Sequence, residues 1–544
     1  MSSPFKVLVA DEIARRGLDI LRASPRIALD VSVGMAPADL AAAIGAYQGL
    51  VVRSATKVTT GLLEAASALR IIGRCGIGVD NIDIAAASRR GIIVANTPAG
   101  NATTAAEHAL CLLLAMARFV PQATASMKSG KWDKRRFQGV EITDKTLGVI
   151  GLGQIGRIVC DRARGLRMNV LVYDPFVGAE AAERVGSEMV TLDELCARAD
   201  FITLHTPLTP ETRGILGADA FASMKKGVYI VNAARGGLVD EDALLAALES
   251  GQVAGAALDV FAQEPPLPGS RLVAHERVIC TPHLGASTDE AQDKVAIEVA
   301  EQIVAFVERG EVRNAVNAPA LRAEIVPRVA PWLDLGQKLG ILLAQLLPRG
   351  VGIDEVEIET TGEIADLADL AAEAVGTAAL VGLLRAFSDG PVNEVNARLV
   401  ADERQLPVIE VRRPRGQNFE SIVALRSKSA SGARSLVGTL FHSGRAAEPR
   451  LVEIDDTAVD AALEGRLLLV HSIDRPGVIG AVGTLLGQRG TNVARLHVGR
   501  SPLTDVGRGV TAVMVWQIDA ELDAAAVEAI RRLPHIESVE QVIL

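Results

Sequence analysis

The sequence predicts an α/β protein with two doubly wound parallel sheets, followed by an α+β unit and a ferredoxin-like βαββαβ unit. Short apolar, β-branched segments alternate with helical segments from residue 6 to about residue 284. This alternation is typical of parallel sheets that are covered by helices on both faces. After residue 350 the strands follow one another with few helices between them. A length of 544 residues allows three or four such units at about 150 residues each.

The candidate elements follow in chain order. The first sheet is predicted from strands at 6–10, 49–52, 69–74 and 91–96, with a helix at 12–22. The second is predicted from strands at 146–151, 169–174, 200–205 and 227–234, after a long apolar helix at 103–120. Turn residues at 310–330 indicate a domain boundary. The third unit, around 352–455, has strands and one Ala-rich helix, and the last 80 residues give the βαββαβ pattern.

Charge and cysteine content limit the partners and the location. The chain has 56 Lys and Arg against 66 Asp and Glu, a net charge of −10, so neither nucleic acid nor a membrane is an expected partner. The five cysteines have no Cys-x-x-Cys spacing. We therefore expect neither a metal site nor disulfides, and a reducing cytoplasm. The basic residues of the third unit are interpreted as a solvated face rather than an anion site: Arg412, Arg413, Arg415, Arg426, Lys428 and Arg434.

A glycine-rich motif follows the first strand of the second sheet. Gly151, Gly153 and Gly156 have the spacing G-x-G-x-x-G and open a predicted helix. A glycine-rich turn is the alternative, but the next strand ends at Asp174, which is where a dinucleotide fold places the carboxylate that accepts from the adenosine ribose. A carboxylate there repels a 2′-phosphate, so the motif predicts NAD rather than NADP.

Three polar residues stand at the ends of later apolar segments. They are Arg235, Glu264 and His283. Each alone is typical of a surface or packing residue. Together they supply a guanidinium for a carboxylate, a carboxylate to orient an imidazole, and a base for a hydroxyl proton, which hydride transfer from a 2-hydroxy acid requires.

The motifs resemble those of a known family. GLGQIGRI at 151–158, NAARGGLVDEDAL at 232–244, ALDVFAQEP at 257–265 and TPHLGAST at 281–288 are similar to the D-isomer-specific 2-hydroxyacid dehydrogenases. GRCGIGVDNID at 73–83 and the terminal unit resemble the long branch that oxidises D-3-phosphoglycerate and carries an intervening domain and an ACT domain. The resemblance implies a substrate domain at 1–98 and 288–312, an NAD domain at 99–287, an intervening domain at 315–458 and an ACT domain at 465–544.

The resemblance also implies residue roles. His283 is the expected base, Glu264 its orienting carboxylate and Arg235 the carboxylate ligand. The expected cofactor contacts are Gly151, Gly153, Gln154, Ile155, Gly156, Asp174, Pro207, Ala233, Asp259, Gly285 and Ala286. The expected contacts of a phosphorylated substrate are Arg53, Ser54, Arg74 and Gly76, and surface salt bridges are the alternative for the two arginines.

The loop DRPG at 474–477 gives the terminal unit two interpretations. Asp474 as a helix cap, followed by Pro476 and Gly477, would be purely structural. The resemblance to ACT domains implies instead an amino-acid sensor in which Asp474, Val478 and Asn492 hold an effector, with L-serine as the candidate. ACT pairing and the apolar helix at 103–120 predict a homo-oligomer, a dimer or a tetramer.

The resemblance implies NAD-dependent oxidation of D-3-phosphoglycerate to 3-phosphohydroxypyruvate, the first step of serine biosynthesis. One alternative is a glycerate or hydroxypyruvate type of D-2-hydroxyacid dehydrogenase. The other is a nucleotide-sensing binding protein on the same fold, which a turnover assay distinguishes from an enzyme.

Overall fold

The computed structural model describes residues 4–98, 100–319, 325–348, 352–367, 369–388, 391–415, 418–430, 432–443, 446–505 and 509–544. Four sheets follow one another along the chain, and they confirm the predicted fold class. The domain boundaries stay predictions. Residue 99, where the sequence places the start of the NAD domain, lies outside the described residues.

The first unit is a five-stranded parallel sheet in the order β2-β1-β3-β4-β5. Its strands are β1 Phe5–Val9, β2 Ile27–Val31, β3 Gly49–Val52, β4 Ile71–Arg74 and β5 Ile93–Ala95. Its helices are α1 Arg15–Ala23, α2 Pro37–Ala43, α3 Thr60–Ala65 and α4 Ile84–Arg89, with a 3₁₀ turn at Ile44–Ala46. The buried strands carry Val, Leu and Ile on both faces, as expected for a sheet between two helical layers.

The second unit is a seven-stranded parallel sheet in the order β12-β11-β10-β9-β6-β7-β8. Its strands are β6 Thr146–Ile150, β7 Asn169–Tyr173, β8 Glu188–Met189, β9 Phe201–Leu204, β10 Val228–Asn232, β11 Val253–Leu258 and β12 Val278–Cys280. Its helices are α5 Ala102–Ala117, α6 Val120–Lys128, α7 Gln154–Gly165, α8 Ala179–Arg184, α9 Leu192–Arg198, α10 Ala218–Ser223, α11 Glu241–Glu249 and α12 Arg271–Ala274, with a 3₁₀ turn at Lys134–Phe137. The next helix, α13 Asp289–Arg309, returns to the first unit and packs Val295, Val299 and Ile303 into its core.

The apolar helix predicted at 103–120 is broken in the structure. It ends at Ala117, and α6 begins at Val120 with a bend of 62° between the two. Phe119 between the two helices has a left-handed φ of +52°, and Pro121 has no N–H to donate to the Ala117 carbonyl, as a continuous helix would require. Among the described residues no single helix is long and apolar enough to cross a membrane, and only this bent pair passes that test jointly by length and composition.

The third unit has a mixed six-stranded sheet in the order β14-β13-β15-β16-β17-β18. Its strands are β13 Ile353–Thr361, β14 Val408–Arg413, β15 Val423–Ser429, β16 Gly432–Ser443, β17 Ala446–Ile454 and β18 Thr457–Ala462. Its helices are α14 Val326–Leu346, α15 Glu363–Leu367, α16 Asp369–Leu384 and α17 Ala397–Glu403. The core lies between α14, α16 and the sheet and includes Trp332, Leu339 and Leu383.

The fourth unit is an antiparallel four-stranded sheet in the order β20-β21-β19-β22. Its elements are β19 Arg466–Ile473, α18 Val478–Gln488, β20 Val493–Asp505, β21 Gly509–Ile518, α19 Ala524–Arg531 and β22 Ile536–Ile543. Both faces of β19 are buried. Leu468 and Val470 face the core under α18 and α19, whereas Leu467 and Leu469 belong to the core of the third unit.

Candidate active site

The candidate catalytic residues lie at one edge of the seven-stranded sheet. Arg235 follows β10, Glu264 follows β11 and His283 follows β12, and these three strands are adjacent and parallel. Parallel neighbours end at the same edge, so the sheet itself brings the three loops together. Ligands of open α/β sheets bind at this edge.

His283 and Glu264 are in direct contact. His283 Nδ1 lies 2.8 Å from Glu264 Oε2, and the Phe261 N–H donates to Glu264 Oε1 at 3.1 Å. The two side chains are partly exposed, at 50% and 38%. Because the carboxylate occupies Nδ1, it fixes the imidazole and leaves Nε2 as the nitrogen that can take a substrate proton.

Asp259 organises the loop that carries His283. Its fully buried carboxylate accepts from Thr281 Oγ1 at 2.6 Å and from the Leu284 and Gly285 N–H groups at 2.7 and 2.8 Å. The His283 N–H donates to the Asp259 carbonyl at 2.9 Å. Burial raises the pKa of Asp259, but the hydrogen bonds from His108, Thr281 and Leu284 outweigh it and hold that pKa below its usual value. The carboxylate therefore stays charged and keeps the loop in place.

His108 and Thr281 are contacts that the sequence did not indicate. His108 Nε2 lies 3.1 Å from Asp259 Oδ1 and 3.2 Å from Thr281 Oγ1. His108 is on α5, more than 150 residues before Asp259 in the chain, and nothing local in its helical segment marks it. Thr281 could have been suspected from the sequence, because it lies two residues before His283 in the segment Thr-Pro-His.

Arg235 connects the second unit to the first. Its Nε donates to Asp80 Oδ2 at 2.8 Å, and its Nη1 donates to the Ala234 carbonyl at 2.7 Å. Asn232 supports the loop by donating to the Arg235 carbonyl at 2.9 Å. The guanidinium is thus placed in the cleft between the two sheets.

Arg53 follows β3, Arg74 is the last residue of the neighbouring strand β4, and both face the same cleft. Arg53 Nη1 donates to the Glu12 carbonyl at 3.1 Å, and Arg74 Nη1 donates to the Cys75 carbonyl at 3.0 Å. Burial, together with the charge of Arg235, lowers the pKa of Arg74 to about 10, and the buried Arg74 Nε has no partner within the described residues. Neither arginine has a carboxylate salt bridge among the described residues. Ser54 is exposed beside Arg53, and the Gly76 N–H donates to Thr97 Oγ1 at 2.6 Å.

The glycine-rich loop has the geometry of a dinucleotide site. Gly151 has φ of +98°, and a Cβ on Gly156 would lie 2.0 Å from the Gly151 carbonyl oxygen, so neither position accepts a side chain without strain. A Cβ on Gly153 would meet open space, at the N-terminus of α7 where a pyrophosphate binds. Asp174 is fixed by the N–H groups of Leu152 and Phe176 at 2.8 and 2.9 Å.

The remaining predicted cofactor contacts lie along the same edge. Gln154 and Ile155 begin α7, Pro207 follows β9, and Ala233 directly follows β10. Gly285 and Ala286 lie in the loop between His283 and α13. The loops after β6, β7, β9, β10, β11 and β12 therefore border one continuous cleft.

The structure does not bring the predicted effector residues together within one chain. Asp474 follows the end of β19, whereas Asn492 precedes β20, which runs parallel to β19. Val493 pairs with Ile518 at the end of the sheet where β19 begins, and Arg500 lies at the other end. Seven residues at ~3.3 Å each separate the two ends by about 23 Å.

One part of the structural interpretation of the DRPG loop is wrong, because Asp474 does not cap α18. Gly477 is the N-cap of α18, with φ of +95° and no side-chain cap bond. Asp474 instead pairs with Arg500, Oδ2 to Nε at 2.8 Å. The Val478 N–H contacts the Arg475 carbonyl at 3.4 Å.

Several basic residues of the predicted solvated face in the third unit are paired with carboxylates, although Lys428 stays 69% exposed. Arg426 lies 2.7 Å from both Glu357 and Glu359, Lys428 contacts Glu355, and Arg434 contacts Asp455. The three glutamates come from β13, which pairs with β15 in an antiparallel register that the sequence alone does not reveal, and Asp455 lies in the turn between β17 and β18. Within the described residues no group of three or more His, Cys, Asp and Glu is placed to hold a metal ion.

Comparisons with known proteins agree with this geometry. Residues 110–285 match the NAD-binding domain of the D-isomer specific 2-hydroxyacid dehydrogenases. A solved D-lactate dehydrogenase from Aquifex aeolicus, in complex with NAD and lactic acid, superposes with a TM-score of 0.51 at 27% identity, covering 57% of this chain and 98% of that one. The fold and the cleft thus define an NAD-dependent D-2-hydroxyacid dehydrogenase.

The rest of the chain narrows the family. Residues 328–455 match the D-3-phosphoglycerate dehydrogenase intervening domain, and residues 466–535 match the ACT domain. D-3-phosphoglycerate dehydrogenase of Synechocystis sp. is 41% identical over 99% of this chain and 95% of its own length. The enzyme of the same name from Archaeoglobus fulgidus is 43% identical over 91% of this chain and 92% of its own length. The chain belongs to the D-3-phosphoglycerate dehydrogenase family.

Proposed function

We propose that this enzyme oxidises D-3-phosphoglycerate at C2 to 3-phosphohydroxypyruvate, the reaction that opens serine biosynthesis. The supporting observation is the 2.8 Å contact between His283 and Glu264 at the sheet edge that also carries Arg235. Relatives over nearly the whole chain bear the name of this activity.

Each residue has a defined task in the proposed reaction. His283 Nε2 accepts the proton of the C2 hydroxyl while the C2–H bond breaks and the C2 carbonyl forms. Glu264 stabilises the resulting imidazolium through Nδ1, and Arg235 binds the C1 carboxylate. NAD, when bound, supplies the acceptor for the hydride from C2.

The phosphate group is assigned to Arg53 and Arg74. Both arginines lie at the carboxyl ends of adjacent strands and face the cleft without a carboxylate partner among the described residues. Their donors are directed to backbone carbonyls, which leaves the positive charges available to a phosphate dianion. A glycerate or hydroxypyruvate dehydrogenase would have no use for this second anion site.

We further propose that L-serine regulates the enzyme through the ACT domain and that the active form is a cytoplasmic homo-oligomer. Asp474 and Asn492 are too far apart in one chain to bind one small ligand together. A binding site that uses both residues therefore requires a second copy of the chain. An exposed apolar segment around α6 also supports self-association: Trp132 is 83% exposed, and Val120 and Met127 are 51% and 54% exposed. The five cysteines are unpaired, as in a reducing compartment.

A substrate panel tests the proposed activity. NADH formation is followed with D-3-phosphoglycerate, D-glycerate, D-lactate and D-2-hydroxyglutarate at equal concentration. We expect the largest kcat/KM for D-3-phosphoglycerate, and Arg74→Ala should reduce it for that substrate far more than for D-glycerate. A preference for an unphosphorylated acid would refute the substrate assignment, and the absence of any turnover would favour a binding protein.

A further inference from the structure

The guanidinium of Arg235 is held on two of its sides. An arginine has five N–H donors. The Nε donor is used by Asp80 and one Nη1 donor by the Ala234 carbonyl. One Nη1 donor and both Nη2 donors are left. A carboxylate binds the outer edge through one donor of each nitrogen, with two parallel hydrogen bonds.

The residue that holds Nε belongs to the opposite side of the cleft. Asp80 lies in the loop after β4 of the first unit, whereas Arg235 follows β10 of the second unit. The same loop closes over the guanidinium: a Cβ on Gly78 would lie 1.8 Å from Arg235 Nη2. Gly78 therefore lets the arginine approach the loop closely, and Asp80 pulls it there by charge.

Asp80 also changes the charge balance of the cleft. Burial is the main cause that lowers the pKa of Arg74, the positive charges of Arg235 and Arg53 lower it further, and the negative charge of Asp80 opposes them. Arg235 is 27% exposed and Asp80 63% exposed, so the carboxylate lies at the rim and the guanidinium lies deeper. In this position the Asp80 carboxylate can orient the arginine without occupying the space of the substrate.

We propose that Asp80 is a positioning residue: by pairing with Arg235 Nε across the cleft, it presents the Nη1–Nη2 edge to the substrate carboxylate. The role rests on the proposed function for the identity of the substrate, but it applies to any 2-hydroxy or 2-keto acid that Arg235 binds. Approach of the two units and orientation of the guanidinium then depend on the same contact.

The first test separates binding from chemistry. Arg235 holds the carboxylate before and during the reaction, so loss of its orientation weakens ground state and transition state alike. We expect Asp80→Ala to raise the KM for D-3-phosphoglycerate roughly tenfold, or ~1.4 kcal/mol, and to change kcat and the KM for NAD by less than about threefold. Asp80→Asn keeps an oxygen acceptor and should show a smaller rise. Asp293→Asn breaks a comparable exposed pair, Arg16–Asp293 at 3.4 Å, and is the matched control without an effect on KM.

The second test does not require turnover. Oxalate, a dicarboxylate that resembles a 2-keto acid, is titrated into the full-length enzyme with NADH bound, and NADH fluorescence is recorded. Asp80→Ala should weaken oxalate binding about tenfold, with NADH binding unchanged. Equal oxalate affinity in wild type and Asp80→Ala overturns the proposal, and so does the absence of oxalate binding to the wild-type complex. A wild type that binds oxalate but does not oxidise D-3-phosphoglycerate refutes the proposed function. In that case the oxalate affinities of the wild type and Asp80→Ala still decide whether Asp80 positions Arg235.

Discussion

The second and fourth units build their candidate sites in opposite ways. In the second unit, residues after β10, β11 and β12 converge because parallel strands end at one edge, and His283 and Glu264 meet at 2.8 Å within one chain. In the fourth unit, Asp474 lies after the end of one strand and Asn492 before the start of a parallel strand, so they stand at opposite ends of the sheet. The contact between base and carboxylate forms within a single chain, whereas the proposed effector site would need a second copy to bring Asp474 and Asn492 together.

The difference shows what sequence order does and does not specify about a site. Polar residues that all follow parallel strands are brought together by topology alone. A pair that follows one strand and precedes the next is separated by the length of a strand. Oligomerisation is therefore a requirement for the proposed effector site and not for the contact between base and carboxylate.

The largest expected effect tests the catalytic edge. His283→Ala should lower kcat by about 10²–10⁴-fold, the usual contribution of a positioned acid or base, with NADH affinity almost unchanged because Asp174 and the glycine-rich loop lie elsewhere on the edge. The measurement is steady-state NADH formation together with fluorescence titration of NADH. Turnover close to that of the wild type would remove His283 from the mechanism.

The second prediction tests the split effector site by complementation. Asp474→Ala and Asn492→Ala should each lose serine inhibition, a coupling of about 1–3 kcal/mol in typical allosteric systems. If one effector site combines Asp474 of one copy with Asn492 of another, a mixed oligomer of the two variants contains one site with both residues intact. Serine inhibition should therefore partly return in the mixed oligomer. No recovery in mixed oligomers, with both parents insensitive, would show that each chain binds serine alone.

The third prediction concerns the cofactor half of the same edge. Asp174→Ala should reduce the preference for NAD over NADP by roughly tenfold, because the carboxylate no longer accepts from the ribose hydroxyls or repels a 2′-phosphate. The ratio of kcat/KM for the two cofactors measures this, and Asp193→Ala on the exposed face of α9 is a suitable control. Equal use of both cofactors by the wild type would contradict the role of Asp174.

The smallest expected effect concerns the carboxylate that orients the base. Glu264→Gln keeps an oxygen acceptor at this position but removes the negative charge beside His283 Nδ1, and a hydrogen bond to a charged acceptor is about twice as strong as one to a neutral acceptor. We therefore expect kcat to fall by roughly fivefold, or ~1 kcal/mol, with the KM for NAD unchanged, in steady-state assays of NADH formation. An unchanged kcat would mean that Glu264 only supports the loop through its bond with the Phe261 N–H.

The sequence is most informative at positions where the local backbone conformation allows only one type of residue. The left-handed φ of Gly151 and the close approach at Gly156 are both properties that only glycine satisfies, so the motif was readable in advance. The bend before α6 could also have been read from Pro121. His108 and Asp80 could not, because their partners Asp259 and Arg235 lie more than 150 residues away and are reached only through the packing of separate elements.

The two-faced burial of β19 has a consequence for how the C-terminal half can be divided. Leu467 and Leu469 share one apolar core with Leu339 and Leu383 of the third unit. A cut near residue 460 would therefore expose that core to water, although the intervening and ACT regions match separate families. The stretch from α14 to β22 therefore shares one core, and we expect an exchange of the C-terminal unit between related chains to succeed only when the third unit is exchanged with it.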